Sequence, residues 1–326
     1  MDLLYTVVEQ LQKPTLAFLL GGMFLAAIGS RFQVAESVYH FVVALLLLKV
    51  GIGAGIAIQA ATLTQLAVPA ILALLVGVLI VFLGRYSFVK LPGVEINDGM
   101  ATVGLFGAVS ASTLAAAMAM LDTQNIPYEA FIGALYPFMD IAALVTAIVL
   151  AKLAINNTKD KTLLTNILVD TVRSPAVGAL LVGLAIGIFG TPQSVYESFY
   201  EPLFRGLLSV LMLIMGMEAW QRLRELKGVA HTYIMYGIAA PFVHGFIGFG
   251  AGMIANALTG FSTGGVVLLA VMAASSSDIS GPPTLRGALP KANPSAYVGT
   301  STGLGTPIAI LSIPFWIALA QVTIGV

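Results

Sequence analysis

The sequence contains no cysteine, which removes disulfides, thiolate metal centres and cysteine nucleophiles from consideration and leaves the redox compartment unspecified. Charge is scarce as well: 9% of the 326 residues are charged, and 15 basic residues balance 15 acidic ones. A chain with no net charge has no electrostatic reason to bind nucleic acid, so no such partner is expected. A basic leader is also missing, since Met1, Asp2 and Glu9 stand where a cleaved signal would carry lysine or arginine. The first apolar segment is therefore expected to remain as a span. What fills the chain instead is apolar, with 58% hydrophobic residues and a mean hydropathy of +0.97, far from the make-up of an average soluble domain. The composition is that of an all-α polytopic membrane protein.

A helix needs about 20 apolar residues to cross a bilayer, and on that measure ten transmembrane spans are expected. They run Pro14 to Ser30, Val38 to Ile58, Leu66 to Phe88, Gly99 to Met120, Glu129 to Leu153, Pro175 to Gly190, Leu203 to Ala219, His231 to Leu258, Phe261 to Leu289 and Ala296 to Gln321. Basic residues then set the orientation. With the N-terminus outside, the cytoplasmic side receives Arg31, Arg85, Lys90, Lys152, Lys159, Lys161, Arg173, Arg222, Arg224, Lys227, Arg286 and Lys291, and the outer side only Lys13 and Arg205. This positive-inside bias places both termini outside.

The spans also read as two sets of five. PTLAFLLGGMFLAAIG (14–29) lies over PAVGALLVGLAIGIFG (175–190): both open on proline, close on glycine and share a Leu-Leu pair at the same step. Further along, Ser110, Ser112 and Thr113 fall on Ser275, Ser277 and Asp278, and Phe131-Ile132-Gly133 falls on Tyr297-Val298-Gly299, while the offset drifts only from 161 to 166. An odd number of spans per copy makes the second copy enter from the opposite side, which predicts a 5+5 inverted repeat. The expected organisation is a first five-helix repeat over 1–153, a short polar cytoplasmic linker over 154–174 and a second repeat over 175–326.

Two polar interruptions stand out within these spans. The ninth carries ASSSDISGPPTLR (274–286) directly behind an apolar run, and the fourth carries a weaker copy, GLFGAVSASTLAAA (104–117). Helix-breaking residues at membrane depth survive only where they are buried in protein or line a cavity, and matched interruptions in two halves point to a transporter's binding site. Pro282 and Pro283 suit the first turn of a new half-helix with Ser280 as its N-cap. Helices 4 and 9 are therefore expected to be broken and to meet near the midplane. Half-helix N-termini suit a small anion, and exposed carbonyls with carboxylates suit a hard cation such as sodium. Asp140 and Asp278 supply the carboxylates, and an ionisable group inside a span is a functional hypothesis by default.

Other residues are given structural readings. Lys49 in the second span is expected to snorkel or pair at a subunit contact. His244 reads as a hydrogen-bonded packing histidine, Glu218 as a surface partner of Arg222, and glycines such as Gly21-Gly22 and Gly248 as sites of close helix packing. An intramembrane aspartyl protease also uses two carboxylates in neighbouring spans, but its Gly-x-Gly-Asp setting is absent because Ser275-Ser276-Ser277 precede Asp278. No enzymatic activity is expected.

The segments GLFGAVSASTLAAA, GALYPFMDI, EPLFRGLLSVLMLIMGMEAW, SSSDISGPPTLR and ANPSAYVGTSTGLGTPIAI closely resemble the sodium-dependent bicarbonate transporters of cyanobacteria and related bacteria, the SbtA family. The resemblance covers nearly the whole chain. It implies a homotrimer in the cytoplasmic (inner) membrane that carries bicarbonate with sodium by an elevator-type movement, supporting inorganic carbon accumulation. Spans 1, 2, 6 and 7 would form a gate or scaffold, and spans 3–5 and 8–10 a moving core. It further implies inhibition by a trimeric PII-like nucleotide-binding protein on the cytoplasmic face, sodium as the co-transported ion and no organic cofactor. Carried over, Ser110, Ser112, Thr113, Ser275, Ser276 and Ser277 fall where the family binds bicarbonate, and Asp140, Asp278, Ser110 and Ser275 where sodium is held. The link between spans 5 and 6 is shorter than the family's long charged loop, so regulation through that loop is not implied. The nearest alternatives on the same plan are a sodium/proton antiporter and a sodium-coupled symporter of another small anion.

Overall fold

The computed structural model describes residues 14–59, 61–156, 169, 173, 175–225 and 231–325. The expected linker over 154–174 lies almost wholly outside them, as do Lys13, Lys159, Lys161 and Lys227. The described residues form helices and no strand. Leaving aside short helical turns of three to seven residues, in chain order these are α1 (Pro14–Ala27), α2 (Glu36–Ile58), α3 (Leu63–Tyr86), α4 (Ile96–Gly107), α5 (Ala111–Thr123), α6 (Tyr136–Asn156), α7 (Pro175–Phe189), α8 (Glu201–Glu225), α9 (His231–Thr259), α10 (Thr263–Ala274), α11 (Gly281–Ala288) and α12 (Thr306–Ile324). Among the described residues, 7 helical segments are long and apolar enough to cross a membrane, with α4 and α5 counted together. Three shorter apolar helices lie at Pro14–Ala27, Val177–Phe189 and Thr263–Ala274, where the first, sixth and ninth spans are expected.

The helices sort into two bundles by what their small residues permit. In the first, α1 packs along α8 and α2 along α7. A Cβ on Gly22 would run into the Leu213 carbonyl and one on Gly216 into the Leu19 carbonyl. Across the other pair, a Cβ on Gly51 would meet the Leu180 carbonyl and one on Gly187 the Ile52 carbonyl. Backbone thus lies on backbone, the close approach that dispersion between membrane helices rewards. The expected reading of Gly22 and Gly248 as packing glycines agrees with this geometry, since a Cβ on Gly248 would lie 2.5 Å from the Leu269 carbonyl.

The second bundle holds α3–α6 and α9–α12. Within it α3 packs on α4, α6 and α9, and α10 on α9 and α12. Its helix starts are fixed locally. Thr62 and Gln65 form a capping box on α3, and Ser262 accepts the Gly265 N–H at 3.0 Å to open α10. Glu129 closes that end by accepting Ser262 N–H at 2.6 Å and its hydroxyl at 2.8 Å. An acidic group at a helix N-terminus also complements the dipole. At the opposite end Asp98 accepts the Asn293 N–H at 2.8 Å. Each half of this bundle therefore ties down the other.

Candidate functional site

The first break falls between α4 and α5. Ala108 and Ser110 take extended backbone, and the Ser110 hydroxyl caps α5 by accepting the Thr113 N–H at 3.1 Å. The break frees main-chain groups that the membrane would leave without partners. Val109 N–H finds Asp140 Oδ1 at 3.1 Å, and Ser110 N–H finds Ser275 Oγ at 3.0 Å. The Leu105 carbonyl accepts the Ser277 N–H at 2.8 Å. Residues of the second break thus complete the first.

The second break runs 275–280, between α10 and α11. Ser275 Oγ donates to the Met272 carbonyl at 2.8 Å. Ser276 Oγ accepts from Ser301 Oγ at 2.9 Å and lies 3.2 Å from Thr306 Oγ1. Ser280 stands at the N-cap position of α11, yet its side chain does not cap the helix. Its hydroxyl donates to Asp140 Oδ2 at 3.0 Å, and Ser277 Oγ takes over by accepting the Gly281 N–H at 2.9 Å. The expected N-cap is corrected accordingly: the nearby carboxylate outbids the backbone for the Ser280 hydroxyl, because a bond to such an acceptor is the stronger one.

The two carboxylates differ in what they leave open. Asp140 on α6 is fully buried and uses one oxygen on each break. Asp278 accepts Ser112 Oγ at 2.5 Å and Ser110 Oγ at 3.2 Å, both through Oδ2. Its Oδ1 is buried with no partner among the described residues. A cavity of about 810 Å³ reaches Asp278, Ile279, Pro282 and Pro283 from the end of the molecule where Glu36, Tyr39 and Arg286 also line it. The N-terminus of α5, with the hydroxyls of Ser110 and Ser112, therefore holds a carboxylate that still has an oxygen to offer.

A family model described as the Na+-dependent bicarbonate transporter superfamily matches residues 14–321. The chain belongs to this superfamily. No curated protein matched the chain. Membership makes it a transport protein of the membrane, consistent with its apolar helices.

In this superfamily member the sequence-derived residues come together almost completely. Ser110, Ser112, Thr113, Ser275 and Asp278 form one hydrogen-bonded group, and Ser276, Ser277 and Asp140 a second one through Ser280 and Ser301; the two meet where Asp140 holds Val109, the neighbour of Ser110. Ser112 and Thr113 stand in the first turn of α5 rather than in the break itself. Sequence reasoning missed Tyr136, Ser301 and Thr306, and gave Ser280 only a capping role. Tyr136 OH lies 3.4 Å from Ser280 Oγ, and Ser301 and Thr306 hold Ser276 from the π-helical turn Gly299–Gly305 and the first residue of α12. A signal was present: the offset of 166 seen at Phe131 and Tyr297 places Thr306 on Asp140.

Glu218 pairs with Arg222 at 3.6 Å, as expected. His244 packs against Phe106 and Tyr236, while its Nδ1 has no hydrogen-bond partner among the described residues, so the packing part of the expectation is seen and the hydrogen-bonded part is not. Lys49 is corrected. It neither reaches a span end nor faces outward: it is 9% exposed, with Nζ 4.4 Å from the centre of the Phe204 ring and 5.7 Å from that of Tyr196. Among the described residues no cluster of three or more His, Asp or Glu is arranged to hold a resident metal ion.

Proposed function

We propose that the chain is a sodium-coupled bicarbonate symporter that works by alternating access, with its site where the two broken helices meet. The observation that carries the proposal is Asp278 Oδ1, a buried carboxylate oxygen without a partner at the inner limit of a cavity. Hard cations take oxygen ligands, and this oxygen, with the hydroxyls of Ser110 and Ser275 and the carbonyls freed at the breaks, forms such a set. Asp140 belongs to the same cation site by holding Val109 and Ser280 in place from behind. Bicarbonate is assigned to Ser110, Ser112 and Thr113 at the start of α5 and to Ser275, Ser276 and Ser277 opposite. The α5 terminus is the stronger half for an anion. Pro282 and Pro283 of α11 have no N–H, and the Gly281 N–H is already bonded to Ser277.

This arrangement implies an order of binding. Asp278 repels an anion from α5 until a sodium ion sits on Oδ1, so sodium binds first. The ion also cancels the charge of the cargo, whose entry against an inside-negative potential would otherwise cost about 2.3 kcal/mol per 100 mV.

The same reading takes α1 to α12 as ten spans in an inverted 5+5 repeat, with α4–α5 and α10–α11 as broken spans four and nine. The glycine-packed bundle is the gate or scaffold, and the other bundle is an elevator-like core. Its setting is a homotrimer in the inner membrane with both termini outside, serving inorganic carbon accumulation and controlled by a PII-like nucleotide-binding protein. The deciding experiment is uptake of labelled bicarbonate into vesicles holding the purified protein, under an inward sodium gradient with a potassium control. Uptake that requires sodium supports the reading. Folded protein that carries no bicarbonate, but takes up another oxyanion or exchanges protons for sodium, would replace it with one of the alternatives.

A further inference from the structure

We infer that Lys49 is the cation that receives the transported anion on the face opposite the cavity, a specificity-determining residue for the symport proposed above, on which this inference rests. Lys49 lies in the far half of α2, and its ammonium is packed against Phe204 and Tyr196. Among the described residues it has no ion pair and no hydrogen bond. A lysine held inside a membrane helix against aromatic rings rather than in an ion pair is costly and tends to mark an ion's route. The rings it packs on and the charges that act on it come from both bundles. Phe204 and Glu201 belong to α8, and Asp122 ends α5. Asp122 is itself engaged, accepting Tyr128 OH at 3.0 Å. Next to Lys49, Val50 presses on Gly133, just ahead of α6. Lys49 therefore sits in the seam along which the two bundles would slide.

The spacing along α2 gives the second argument. Tyr39 lines the cavity beside Asp278, and Lys49 is ten residues further along, about 15 Å at the helical rise. In the arrangement seen here the site opens toward Tyr39, while Leu46 and Val50 of α2 and Leu114 and Met118 of α5 are buried in the core. Displacement of the core along α2 toward its far end would bring Ser110, Ser112 and Asp278 from the level of Tyr39 to that of Lys49. A lysine there attracts an anion arriving from that face and repels a second cation. It has no such part when the site opens at Tyr39.

The test is sided transport. Labelled bicarbonate uptake would be measured in membrane vesicles of the two opposite orientations for wild type, Lys49→Gln and Lys49→Arg, with folding checked by gel filtration. The glutamine variant is expected to raise KM about tenfold from one face and leave the other within about twofold, and arginine is expected to restore it. Equal change from both faces, or no change in a folded protein, overturns the assignment to Lys49 and leaves the symporter intact. Wild type without bicarbonate transport overturns the symporter instead. An independent reading comes from Lys49→Cys, which is clean because the chain has no other cysteine. An impermeant methanethiosulfonate is expected to label it from one face only, and a positively charged adduct to restore KM where a negatively charged one does not. Failure to label from either face overturns the proposal whatever the cargo.

Discussion

Replacing Asp140 by alanine should loosen both helix breaks at once. Its two oxygens accept Val109 N–H at 3.1 Å and Ser280 Oγ at 3.0 Å, and the residue is 0% exposed. Alanine leaves two buried donors unpaired, and at ~1–3 kcal/mol each the gross cost is about 2–6 kcal/mol. Ser280 has alternatives, since Ser277 Oγ lies at 3.0 Å and Tyr136 OH at 3.4 Å. Val109 N–H has none among the described residues. Recovery of one bond brings the expected loss to about 1–3 kcal/mol. Asparagine behaves differently. Its oxygen can accept the Val109 N–H and its amide can donate to Ser280 Oγ, so its loss is held to about 1 kcal/mol. Thermal denaturation of the detergent-purified protein in sodium-free potassium buffer should rank wild type above Asp140→Asn and both above Asp140→Ala. Equal melting of wild type and alanine variant would refute the bracing argument, and equal melting of the two variants would refute the account of its geometry.

Asp278→Asn should keep the fold but lose sodium-driven uptake, and should bind bicarbonate without needing sodium. The sodium-induced rise in stability, about 2.7 kcal/mol at a hundredfold excess over Kd, should vanish with it, and a persistent sodium-dependent rise in melting temperature would count against Asp278 as the ion's ligand. Gly216→Val should not yield folded protein, because its side chain would enter the Leu19 carbonyl; a monodisperse gel-filtration peak would contradict this. Thr306→Val should cost about 1 kcal/mol through Ser276 and slow transport, and unchanged uptake kinetics would show that the π-helical turn has no part in shaping the site.

The breaks were legible in the sequence because their chemistry is conspicuous: serines, an aspartate and paired prolines stand in runs otherwise made of Leu, Ala and Val. The partnership of the halves was legible through a nearly constant offset. Which atom bonds which was not. Asp140 meets Val109 across 31 residues and Ser280 across 140, and no local pattern records such distances. Ser301 and Thr306 were hidden by their glycine neighbours. Lys49 was misread because position along a helix gives depth but not direction, and its stem turns inward to the rings of Tyr196 and Phe204. The helix α10 is short because the polar break at Ser275 ends it early, while the apolar runs behind α1 and α7 are themselves only 17 and 16 residues long.

The exchange of backbone partners between the breaks bears on how the protein is made. The Leu105 carbonyl waits for Ser277, and the Ser110 N–H for Ser275, 165 residues later in the chain. At roughly 5–20 residues per second of synthesis, the nascent first half spends on the order of ten to thirty seconds with those groups unmet. During that time it must be held by water, by the insertion machinery or by temporary bonds of its own. A gene cut between α6 and α7 would therefore give working protein only when both pieces are produced together, because neither can finish its own helix break.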